Sequence, residues 1–188
     1  MKNKSELEEI IAKLREAAKK SPENIEGHFY LACALLEDGQ QSGLIEEFNK
    51  ALELDKNKEY HSLISYKLGL FYYSEWGYDR AVGEFEKSVE YLPRFKADES
   101  FKQVFSAKLY YTLGNFLILR LHHGEHSFSE KFRDLRRAKE CFHKSFGACF
   151  ADTKLREKIS EIEDIIEEEW NRADDEGDIF KWYCEEGD

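Results

Sequence analysis

Proline is nearly absent from this 188-residue chain, which has two in all, and glycine is held to eleven. So few breakers leave little room for long loops or low-complexity segments, and the composition suits a mostly helical chain. Four cysteines with no C-x-x-C pair give neither a disulfide framework nor a zinc ribbon, and reduced, mostly packed thiols are expected. No apolar run approaches the roughly 18 to 20 residues that span a bilayer. The start, Met1 to Glu9, lacks the apolar core of a secretory signal, so a cytoplasmic protein without a membrane partner is expected. Basic charge is also short, with 28 Lys and Arg against 39 Asp and Glu and a formal net charge of −11. Most of the excess lies in residues 163–188, where twelve acids meet only Arg172 and Lys181, a net of −10, and the rest is almost neutral. A neutral body with an acidic end has no basic footprint for releasing counterions from phosphate, which excludes general nucleic-acid binding.

What the chain does have is apolar and aromatic material, 41% and 14% of its residues, ample for a core. It is arranged in a pattern that occurs three times. Leu31-Ala32 is followed by Leu44, Phe48 and Ala51-Leu52; Leu68-Gly69 by Ala81, Phe85 and Ser88-Val89; Leu113-Gly114 by Ala138, Phe142 and Ser145-Phe146. In the first two copies the large and small partners lie 12, 16 and 19 residues after the small residue. Small side chains at fixed offsets from large ones are what two closely packed helices need, and a repeated helix pair makes a helical repeat protein.

These spacings resemble the tetratricopeptide repeat (TPR). Pro93 falls where the repeat-ending proline of that family sits, and Asp38-Gly39 and Trp76-Gly77 fall in the turn between its two helices. The resemblance implies an all-α, TPR-like right-handed helical solenoid of about three helix-turn-helix repeats with a capping helix at each terminus. Residues 1–173 are expected to form one domain. It would comprise a cap helix at 5–20, repeats at about 22–56, 59–93 and 100–150, and a last helix at 152–173. The cap helix has Leu7, Ile10, Ile11, Leu14, Ala17 and Ala18 at helical spacing, and Ile10, Leu14 and Ala17 fall at second-helix positions of a half repeat. Ser21-Pro22 is expected to start the next helix. The third copy is irregular: Ala138 follows Gly114 by 24 residues, so about a dozen extra residues near 120–133 are expected in place of a tight turn. Leu155, Ile159, Ile162, Ile166 and Trp170 form one stripe on the last helix, and residues 174–188 form an acidic tail containing Phe180, Trp182 and Tyr183.

In a TPR array the first helix of each repeat lines a ligand-binding face, and the resemblance carries those positions onto this chain. They are Glu26, Phe29, Cys33 and Leu36; Leu63, Tyr66, Lys67, Leu70 and Tyr73; and Lys108, Tyr111, Thr112, Asn115 and Ile118. A TPR that grips a terminal carboxylate uses two lysines, two asparagines and an arginine, whereas the same positions here read Phe29, Cys33, Lys67, Lys108 and Thr112. Such a mainly apolar and aromatic surface implies a protein or peptide partner with apolar anchors. The expected function is a non-catalytic interaction module, an adaptor, assembly factor or chaperone-like protein, that needs no cofactor. The alternative is a self-associating module, a homodimer, or a groove filled by the chain's own last helix or tail. A third and weaker reading is metal binding through His122, His123 and His126, whose spacing fits no zinc motif. No phosphate loop and no G-x-S-x-G nucleophile motif occurs, so an enzyme is not expected.

Overall fold

The computed structural model describes residues 4–123, 126–148 and 153–176, leaving aside the side chains of 148, 153–155, 169, 170 and 173–176. The chain divides into two compact units, 1–97 and 98–188, where the sequence leads one to expect a single domain over 1–173. The secondary structure of the described residues is helical throughout. The tail beyond residue 176, including Phe180, Trp182 and Tyr183, lies outside the described residues.

The first unit contains α1 (Lys4–Lys20), α2 (Ile25–Glu37), α3 (Leu44–Leu54), α4 (His61–Ser74) and α5 (Tyr78–Tyr91), closed by a short 3-10 turn, Leu92–Arg94, that holds Pro93. Helices α2 with α3 and α4 with α5 form the two antiparallel pairs that the repeat spacing predicts, and α1 packs on α2. The pairing is set at the small positions. Gly69 lies under the Phe85 ring so closely that a Cβ there would stand 2.6 Å from it. Ala32, Phe48, Ala51, Ala81 and Phe85 are fully buried around the same contacts. Where the second copy places Ser88 instead of alanine, the hydroxyl donates to the Ser62 carbonyl at 2.6 Å while the Ser62 hydroxyl donates to the Ser88 carbonyl at 2.8 Å. A polar atom is thereby tolerated in a fully dehydrated seam.

Two local expectations need correction. Helix α2 begins at Ile25 and not at Pro22, because the Asn24 side chain accepts hydrogen bonds from the backbone N–H of Glu26 and Gly27 and so outcompetes the Ser21-Pro22 start. On α1 the buried residues are Ile11 and Ala18, Leu7, Ile10 and Leu14 are half-buried, and Ala17 is exposed. Of the half-repeat positions only Ala17 is left out, because the contact with α2 centres on Ile11 and Ala18, each one residue further along.

The second unit contains α6 (Glu99–Leu121), α7 (Phe128–Ala148) and α8 (Thr153–Glu176), with α6 against α7 and α7 against α8. Its core is built from Phe105, Leu109, Leu113, Leu117, Phe142 and Ile162. Gly114 faces Phe142 as Gly69 faces Phe85, with a Cβ placed 2.9 Å from the ring. The extra residues expected as a loop near 120–133 are mostly helix. Helix α7 starts ten residues before Ala138, whereas α5 starts three before Ala81, so about two added turns precede the conserved-spacing contacts. Arg120 and Asp134 anchor that longer hairpin: Nε and Nη2 of Arg120 both donate to Oδ2 of the buried Asp134. On α8 Ile159 and Ile162 are buried and Ile166 is half-buried, while Leu155 and Trp170 have side chains outside the described residues.

Candidate functional site

Helices α2 and α4 are the first helices of their repeats, and one face of each carries the residues that the resemblance marks as ligand-facing in the first unit. The two helices are tied at their N-terminal ends, where the Tyr60 hydroxyl donates to the Glu26 carboxylate at 2.6 Å. That hydrogen bond, with some burial, pushes the Tyr60 hydroxyl up to about 12. About two turns further along, Lys67 lies near enough to Cys33 for its charge to act on the thiol. Burial dominates there and pushes the Cys33 thiol up to about 11, so the sulfur is a neutral, half-buried apolar group at physiological pH. Leu36, Leu63 and Leu70 are half-buried beside it, and Tyr73 is 43% exposed.

Two residues expected on this surface are in the interior. Tyr66 is 4% exposed, with its ring 5.7 Å from that of Phe85, and Phe29 is buried with its ring 6.3 Å from that of Phe48. Both rings serve the contact between the two helices of their own repeat. Two aromatics that the mapping does not include are instead exposed: Tyr30, and Trp76 at 77% exposure in the α4–α5 turn. Trp76 takes φ of +59°, in the left-handed region that the equivalent turn of the first repeat gives to Gly39 at φ +72°. A bulky residue held there costs about 1–2 kcal/mol, so its presence reflects no local folding preference. The offset of seven residues from Ala32 to Gly39 and from Gly69 to Trp76 is the signal that reveals it.

In the second unit Lys108, Tyr111, Thr112, Asn115 and Ile118 follow one another along α6. Tyr111 is 43% exposed and meets Phe142 edge-on with ring centroids 5.8 Å apart. Asn115 donates from Nδ2 to the Tyr111 carbonyl at 2.6 Å, and its Oδ1 accepts from Nζ of Lys158 on α8. The same ammonium stands 5.2 Å from the Tyr111 ring centroid and 5.6 Å from that of Phe142. Helix α8 therefore lays a cation over the residues of α6 that the mapping marks for a ligand. It is fixed there also by Lys139 of α7, which pairs with Glu163 at 2.7 Å.

The histidines of the α6–α7 connection are spread apart in role. His122 and His123 are exposed, while Nε2 of His126 donates to the Arg120 carbonyl at 3.1 Å and so caps the end of α6. Among the described residues no three His, Cys, Asp or Glu side chains converge to hold a metal ion. The buried Asp55 and the half-buried Glu47 are likewise engaged by the fold. Asp55 accepts from the backbone N–H of Glu59 and Tyr60 and from Nδ1 of His61, closing the start of α4, and Glu47 meets Nδ1 of His28 at 2.5 Å. Among the described residues no helix is long and apolar enough to cross a membrane.

No family model matches this sequence, and no curated protein does. Solved structures do match. PilF of Pseudomonas aeruginosa superposes with a TM-score of 0.56 at 19% identity over 84% of this chain, which spans 60% of the length of that structure. Two structures of MamA give TM-scores of 0.51 at 14% identity over 92% of this chain, covering 87% and 93% of theirs. Both are TPR proteins, and at these identities the likeness establishes the fold alone. The chain thus has an all-α helical-repeat fold of the tetratricopeptide type.

Proposed function

We propose that this chain is a non-catalytic protein-interaction module whose binding surface is the face of α2 and α4 and takes a peptide segment with apolar anchors. The observation that carries this reading is the composition of that face: Cys33, Leu36, Leu63 and Leu70 half-buried, Tyr73 exposed, and Lys67 as its cation. Half-buried apolar side chains beside an exposed aromatic ring give a ligand area to dehydrate without rearranging the core. The buried acids and histidines have structural duties, and the TPR-type fold of the neighbouring structures supports an interaction role. A peptide selected from a random displayed library against the full chain should lose at least about tenfold in affinity when Lys67→Glu and Tyr73→Ala are combined. A selection in which no peptide is weakened by the double variant would sink this surface.

A second reading has its own support in the other unit. Lys158 of α8 already satisfies Asn115 and stacks on Tyr111, so the matching face of α6 is served by the chain itself. On this reading the α6 face takes no partner, and the α2–α4 face remains open to one. Light scattering on the pure protein separates both from self-association: a monomer across a hundredfold concentration range favours them, and a dimer that Tyr73→Ala dissociates favours the homodimer.

A further inference from the structure

Helices α1 and α3 both pack on α2 and leave between them a furrow of about 780 Å³, contained wholly in the first unit. Its floor is the ridge His28, Leu31 and Leu35 of α2. At 100° per residue these three lie on the side of α2 opposite Glu26, Tyr30 and Cys33, so the furrow is a different surface from the proposed peptide face. Ala18 of α1 and Leu54 of α3 continue the apolar lining. The one polar group of the floor is satisfied within the protein, since His28 binds Glu47 through Nδ1 and the Pro22 carbonyl through Nε2.

The two walls differ in charge. Arg15 and Lys19 stand on the α1 side, both exposed and one helical turn apart. On the α3 side Lys50 is already paired with Glu46 and Glu47 and Glu53 is exposed, so that wall is acidic and the cations lie on α1. Both walls are helices whose backbone groups are consumed internally, so an extended segment seated here would have no sheet edge to take up its N–H and C=O groups. A helix brings its backbone bonds with it. We infer that the furrow is a second docking site, and that its occupant is an amphipathic helix of a partner protein carrying acidic residues beside its apolar stripe, on the flank that meets Arg15 and Lys19. With the α2–α4 face on the other side of α2, the unit can then hold two segments at once.

The test uses two labelled peptides of about 18 residues, five helical turns, with the same leucine stripe flanked by Glu in one and by Lys in the other. Fluorescence anisotropy is recorded on the full chain in about 0.15 M salt, where the Debye length of about 8 Å leaves local charge in command over the net charge of −11. The Glu-flanked peptide should bind at least about tenfold more tightly than its Lys twin, and Arg15→Glu with Lys19→Glu should reverse that preference. Ser42→Trp, which fills the furrow from its exposed rim, should weaken the Glu-flanked peptide by a similar factor, and serves if the charge reversal disturbs α1. Lys67→Glu should change that affinity less than about twofold. Equal affinity for the two peptides, a preference that survives the charge reversal, or a loss caused by Lys67→Glu would overturn the proposal. Because the α2–α4 reading is tested through Lys67 and Tyr73, either site can fail while the other stands.

Discussion

Adding a single methyl group at Gly69 tests the helix pairing more sharply than any larger change. A Cβ there would lie 2.6, 2.8 and 2.9 Å from three atoms of the Phe85 ring. Carbon atoms in packed interiors rest at about 3.5–4.0 Å, so the overlap is near 1 Å. Phe85 has no exposed surface and is held by Tyr66 at 5.7 Å between centroids, so the ring cannot swing aside. Relief must come from α4 and α5 moving apart, and overpacking of this kind costs about 1–3 kcal/mol. Against it stands a gain of about 1 kcal/mol from replacing glycine inside a helix. Gly83 isolates the clash, because it sits within α5 and a Cβ there meets nothing within 4 Å. Gly83→Ala makes the same chemical change with the same effect on the unfolded chain, so it should stabilise by about 0.5–1 kcal/mol. The difference between the two variants then equals the clash alone, about 1–3 kcal/mol, and urea denaturation followed by circular dichroism resolves it as a shift in midpoint at constant slope. Gly69→Leu should cost more than Gly69→Ala. Midpoints for Gly69→Ala and Gly83→Ala that agree within error would refute the close pairing of α4 with α5.

Other expectations follow from the same geometry. Asp55→Ala removes the acceptor for the backbone N–H of Glu59 and Tyr60 and should cost about 1–3 kcal/mol in a urea melt, while Asp55→Asn, which keeps one acceptor oxygen, should cost less. Arg120→Ala leaves the buried Asp134 carboxylate without its main partner and should destabilise by about 3–5 kcal/mol, with Arg120→Ala plus Asp134→Ala less damaging than the first change alone. Cys33 should alkylate slowly at pH 8, and its rate, followed by peptide mass mapping, should keep rising toward pH 11 because burial holds the thiol protonated; a plateau by pH 9 would contradict that burial.

The helix pairs and the contacts that set them were legible in the sequence because they depend on local spacing. A small residue 16 positions before a phenylalanine fixes which turns of two successive helices meet, whatever surrounds them, and Gly69 with Phe85 is found as that rule requires. Long-range competition decided the rest. The excess residues between Gly114 and Ala138 read as a loop because the pattern is blind to helix length, yet they form mostly added helix, held where Arg120 meets Asp134. Helical periodicity gave α1 an apolar arc but could not choose between Ala17 and Ala18, a choice made by its packing on α2. Mapping by resemblance placed Phe29 and Tyr66 on a binding face, while their burial is set by how near Phe48 and Phe85 approach, a distance no spacing records. The furrow between α1 and α3 and the reach of Lys158 to Asn115 arise only when helices distant in sequence are brought side by side. A repeat pattern specifies each hairpin through neighbours close along the chain, and tertiary packing alone decides which of the faces so made remain open.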